Sequence, residues 1–228
     1  LMDAEQKQEA KEWTELSYEL NEERKIIAQT AIDEAIKLMP YVLTFNDNIG
    51  SCSIQDNTRS KNIAFTKKDE ICSVKDLQCK RIIITVAGKS TTNFDCFYLE
   101  MHNGDSRIIL PLESETQVCS LGDIPRLYVH FPLIGPNYFG VNFLFHSHRF
   151  TPEESRDNII VPKDNDATDK TAMENKQVLD EMTMVLWSFL EANVHTWANT
   201  IKMASLHIKD KGYSLSLIHI SEPTRLRR

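Results

Sequence analysis

Two hydrophobic periods divide this chain. From residue 3 to residue 38 apolar side chains recur at helical spacing, Trp13, Leu16 and Leu20 on one stripe and Ile27, Ala31, Ala35 and Leu38 on another. Asn21, Glu22 and Glu23 between them can start a second helix, because asparagine caps well and early acids suit the positive helix end. Pro40 is expected to end the helical region. The stripes predict an amphipathic arm packed either on a partner preceding residue 1 or on the chain's own sheet.

From Tyr41 to Glu115 the period falls to two, with candidate strands at 63–66, 81–86, 94–101 and 107–112. Phe97, Leu99 and Met101 share one face, as do Ile108, Leu110 and Leu112. Asn103-Gly104 is the strongest hairpin signal, since both residues tolerate positive φ in a tight turn. Residues 69–77 read as a short helix or a loop, and the whole stretch as an antiparallel meander.

The densest punctuation lies between Pro125 and Pro162. A buried-strand pattern (Leu127, Val129, Phe131), a proline- and glycine-rich bend (132–140), a second strand (141–145) and a polar loop around Arg156 follow one another. A polar linker, KDNDATDK, leads to Thr171 and Glu174, spaced as a capping box. Leu179, Met182, Leu186, Leu190, Val194, Trp197, Ile201 and Ala204 then recur at helical spacing, with Trp187 and Phe189 widening the stripe. That helix packs on the sheet or forms an oligomer or interdomain surface. The expected fold is therefore α+β, a mostly antiparallel sheet flanked by an N-terminal helical arm and a long C-terminal helix.

At 228 residues with 41% hydrophobic content the chain can bury one substantial core. A net charge of −7 argues against a nucleic-acid surface. No apolar run approaches a membrane span of about 20 residues, and no signal peptide opens the chain, so a cytoplasmic protein is expected. Five cysteines, odd in number and without CxxC spacing, read as reduced, partly buried thiols.

Three groups of residues suggest chemistry. Ala87-Gly88-Lys89-Ser90-Thr91 resembles the end of a phosphate-binding loop, but Ile83 stands where that motif needs glycine and a strand pattern follows, so a polar hairpin turn is expected. His146 and His148 form an HxH pair that a strand would point to one side, a geometry suited to zinc. No third ligand is evident from spacing, so core or surface histidines are expected and no metal site is assigned. Arg156 sits among Glu153, Glu154 and Asp157, either pairing with them or held by the flanking strands for use elsewhere.

FPLIGPNYFGVNFLFHSHRFTPEESRDNIIVPKDN, followed by ENKQVLDEM, resembles a family of bacterial sacsin-like ATPases of the GHKL superfamily, related to the ninety-kilodalton heat-shock chaperone. Phe131 to Gly135, Pro152, Glu153, Arg156 and Asp157 match the family's pattern, and MPYVLTFNDNI resembles its segment after the ATPase domain. His146 departs from the asparagine common at that position. The matches run across most of residues 13 to 200. The seven glycines are not clustered into a phosphate cradle, and nothing matches the family's nucleotide-binding helix.

The resemblance implies a fragment, the middle module after an absent N-terminal ATPase domain, and an opening Leu1 in place of methionine agrees. In the related chaperone a middle-domain arginine reaches the γ-phosphate, and the SRDN loop gives Arg156 that catalytic role, with Arg149 as the fallback. ATP and magnesium are implied for the full-length protein and no cofactor for this fragment, which alone would not be catalytic. Implied partners are the ATPase domain of the same protein and a client protein or second copy, with neither nucleic acid nor membrane. The competing reading is a stand-alone α+β protein-interaction module without catalytic activity.

SLSLIHISEPTR, residues 214–225, resembles a translated sequencing adapter, the alternative being a natural C-terminal strand. Residues 215–228 carry three arginines and one glutamate, so without them the net charge moves from −7 to −9. The expected divisions are a helical arm (1–39), a sheet module (40–162), a linker with the long helix (163–213) and a non-native tail (214–228).

Overall fold

Helix α1 (Glu22–Phe45) opens where Asn21 accepts the Arg24 backbone N–H on its side-chain oxygen at 3.0 Å. The computed structural model describes residues 17, 19–74, 77–100, 105–114, 117–134, 141–162 and 169–193, so the Trp13–Leu16 stripe lies outside the described residues. Pro40 does not end α1, which continues to Phe45. A proline inside a helix costs about 3 kcal/mol. Here Tyr41, Val42, Leu43 and Phe45 are all buried against the sheet, each gaining roughly 1.5–3 kcal/mol, and that burial outweighs the break. The Pro40 carbonyl also accepts the Thr44 hydroxyl at 2.8 Å.

Five antiparallel strands follow as a meander: β1 (Ser51–Asp56), β2 (Lys61–Val74), β3 (Leu77–Ala87), β4 (Thr91–Glu100) and β5 (Ser106–Ser114). Of the segment 69–77 expected as a short helix or a loop, residues 69–74 and 77 are strand, and 75–76 lie outside the described residues. Asp69 and Glu70, weak strand formers, are carried into the ladder by partners opposite them, Glu70 facing Arg81 and Val74 facing Leu77. Between β3 and β4 the Ala87-to-Thr91 segment is a hairpin turn in which Gly88 N–H donates to the Ser90 carbonyl at 3.1 Å. That amide is spent within the turn, and no phosphate cradle exists there.

β6 (Gln117–Val118) pairs with β5, and the sheet continues through β7 (Leu127–Val129), β8 (Phe131–Pro132) and β9 (Leu144–Ser147) in the order β1-β2-β3-β4-β5-β9-β7-β8. The expected 141–145 strand begins only at Leu144, Val141 to Phe143 being buried but bent. Phe131 does not continue the Leu127 alternation either. The chain reverses at His130 (φ 63), Phe131 folds back opposite Val129, and its ring is exposed. β9 lies antiparallel to β5 and parallel to β7. Arg126, buried just before β7, donates to the carbonyls of Gly122, Ile124 and Val141, tying the approach to β7 to the approach to β9.

Alternation gives the sheet two covered faces. Ile82, Ile84, Cys96, Tyr98, Ile109 and Leu144 meet the end of α1. Leu99, Ile108, Leu110, Leu127 and Phe145 meet α2 (Lys170–Asn193) through Val178, Met182, Leu186 and Phe189. The result is an α+β fold with a mostly antiparallel sheet between its two helices. Thr171 does not cap α2. Asp169 does, its carboxylate accepting the Ala172 N–H at 3.1 Å and its carbonyl the Met173 N–H, because the helix starts two residues earlier than the Thr171–Glu174 spacing requires. Trp187 is exposed and donates to Glu191, while Val194 onward lies outside the described residues. Among the described residues no helix is long and apolar enough to cross a membrane.

Candidate functional site

The Arg156 loop leaves β9 and closes on itself. Pro152 and Ile159 form a bridge, Glu153 N–H donates to the Asn158 carbonyl at 2.8 Å, and Arg156 N–H donates to the Glu153 carbonyl at 2.9 Å. Buried Ile159 and Phe150 root its two stems in the α2-side core. Asn175, fully buried on α2, supplies a polar clamp. Its side-chain oxygen accepts the Thr151 N–H and its amide donates to the carbonyls of Thr151 and Ile160, all at 2.8 Å.

At the tip Arg156 adopts φ 56, a left-handed conformation that a non-glycine residue takes only where its surroundings impose it. Its side chain is exposed. Among the described residues the guanidinium makes neither an ion pair nor a hydrogen bond, although Glu153, Glu154 and Asp157 flank it; Asp157 instead accepts from the Ser155 hydroxyl. Arg149 pairs with Glu181 of α2 at 2.6 Å and is committed to holding the loop stem on that helix.

A second constellation lies where β7 and β9 end. Because the two strands run parallel with Tyr128 opposite His146, two further residues along each bring His130 beside His148 on one face. His130, His146 and His148 offer ligand nitrogens that all lie within 4.8 Å of one another. Ring centroids stand 4.5 Å apart for His130 and His148 and 4.7 Å for His146 and His148.

His146 is 1% exposed, stacks on Phe45 at 5.1 Å, and accepts the His130 backbone N–H on Nε2 at 3.3 Å. Its Nδ1 is buried without a partner. Burial, and then the nearby His148 and Arg107, push its pKa down to about 3. His148 is also lowered, by burial and by His130 and Arg107, against the opposing pull of Asp105 and Asp47. Arg107, opposite His146 on β5, donates to the Phe45 carbonyl and to the Asp47 carboxylate, which offsets its charge beside the histidines.

No family model, no curated protein and no solved structure matches this chain.

Sequence reading found the HxH pair and missed His130. A histidine eighteen residues away enters the cluster only through a parallel register, and the one local signal is the repeated arrangement Tyr128-Val129-His130 and His146-Ser147-His148, each ending its strand.

Proposed function

We propose that this chain is the middle module of a chaperone-like GHKL ATPase, docking on an N-terminal ATPase domain and presenting Arg156 to the γ-phosphate of the nucleotide held there. The observation that carries the reading is an exposed, unpaired arginine at the left-handed tip of a loop clamped by Asn175. A guanidinium fork suits the charge that spreads over the γ-phosphoryl oxygens, and such arginines contribute about 10³ or more in rate where they act on NTPases. ATP and magnesium belong to the other domain, and domain closure brings Arg156 to them. The resemblance of the SRDN loop supplies the direction of this reading, and the loop's bracing gives it a physical basis.

The test is ATP turnover by the protein joined to its ATPase domain. Arg156→Ala should lower turnover by about 10³-fold while nucleotide affinity stays within a few-fold, because the binding pocket lies in the other domain. Unchanged turnover would refute the reading. A stand-alone interaction module is the second reading, favoured by Ile26 and Ile27, both exposed on α1. It predicts self-association or client binding that Ile27→Glu weakens, with Arg156 irrelevant.

A further inference from the structure

We infer that His130, His146 and His148 form a mononuclear binding site for a divalent transition metal of the zinc class, with a fourth coordination position open to solvent. Three imidazoles suit such an ion, whose catalytic-type sites hold three protein ligands and leave one position free. The three rings are brought together by backbone topology, since the parallel register of β7 and β9 fixes two of them at adjoining strand ends and the third two residues back on the same face. Chance surface histidines have no such common origin.

A second observation points to a missing ligand. His146 is almost wholly buried, yet Nδ1 has no partner and Nε2 makes only a long 3.3 Å bond. A buried polar atom left unmade costs about 1–3 kcal/mol. A metal at Nδ1 gives that atom a partner, the imidazole then carrying its proton on Nε2 and giving up the long bond from the His130 N–H. A third observation is backbone conformation. His130 turns the chain at φ 63, where glycine or asparagine would sit at lower cost, and its ring joins the cluster from that turn.

Tetrahedral zinc with bonds of about 2.0–2.1 Å holds its nitrogens about 3.4 Å apart, so from a present spread of up to 4.8 Å the rings must close by up to about 1.4 Å. The side chains of His130 and His148 are exposed and free to make that adjustment, while His146 is fixed in the core. Their exposure also leaves the fourth position to water or to an exogenous ligand. Asp47 and Asp105, whose carboxylates act on His148, add negative charge at the mouth.

The experiment is titration of the untagged chain with zinc chloride, read by calorimetry and by thermal midpoint, beside His130→Gly and His148→Ala. Both substitutions fall on exposed side chains, and glycine accepts the left-handed turn, so the variants keep the fold. One zinc per chain is expected, raising the midpoint, with affinity at least about tenfold weaker in each variant. Cobalt(II) in place of zinc should show d–d absorption without a thiolate charge-transfer band. That arm excludes Cys72 and Cys79, which lie opposite one another in β2 and β3. Absence of binding at about 100 µM zinc, equal affinity in both variants, or a thiolate band would each overturn the site.

Discussion

Replacing Asn175 by alanine removes three hydrogen bonds in one step. The side chain is fully buried and treats Thr151 as a strand neighbour would, accepting its N–H and donating to its carbonyl, while the second amide hydrogen goes to Ile160. Each bond contributes about 0.5–1.5 kcal/mol net, so losing three, with three backbone groups left without that partner, should cost about 3 kcal/mol. For a chain of this size, about 2–4 °C per kcal/mol puts the fall in thermal midpoint at roughly 6–12 °C. Urea unfolding should show a lower midpoint with an unchanged slope, the mark of lost stability without a change in exposed surface. Asn175→Asp should be at least as damaging, since it keeps the acceptor for Thr151 but sets a carboxylate against two carbonyls. A loss below about 1 kcal/mol for alanine would show that the amide does not hold the loop, and the bracing of Arg156 would fall with it.

Two other expectations concern stability. Arg59 donates to Asp56 and Asp33 and holds both carboxyls below the ordinary value near 3.8. The folded state then binds fewer protons than the unfolded one, so this contribution is complete above that value and is lost as pH falls through the lowered folded values; Arg59→Met should flatten that part of an acid unfolding curve followed by circular dichroism. Phe189→Ala should cost about 3–5 kcal/mol by urea unfolding, whereas Trp187→Ala, two residues away but exposed, should stay within about 0.5 kcal/mol; similar losses would refute the assigned face of α2.

What was legible in the sequence is what local pattern decides. Period two grouped Phe97 with Leu99 in 94–101, and Ile108 with Leu110 and Leu112 in 107–112, and the α2-side core holds both groups. Asn21 capped α1 as its chemistry suggested. Partners distant in the chain overrode local preference elsewhere. The sheet's burial of Tyr41 to Phe45 carried α1 through Pro40, and the backbone ladder with β3 kept residues 69–74 in strand where a short helix or a loop was expected. β1 was missed because SCSIQD carries one large apolar residue, and β2 supplies its pairing.

The two candidate sites were legible to different degrees for the same reason. Arg156 lies on a loop whose stems are adjacent in sequence, so residue types alone showed a charged side chain between apolar anchors. His130 needed the register of two parallel strands, information that no local window contains. Among the described residues three non-glycine positions take positive φ: Ser60 in the β1–β2 turn, His130 and Arg156. The last two belong one to each candidate site. A left-handed side-chain-bearing residue costs of order 1–3 kcal/mol, and glycine would remove most of that cost at either turn. Both side chains are exposed, so neither turn is held in that conformation by burial of its own side chain. His130→Gly separates the proposed metal role from stability: it relaxes the backbone while deleting the ring, so a loss of zinc affinity in a protein no less stable cannot be ascribed to damage of the fold.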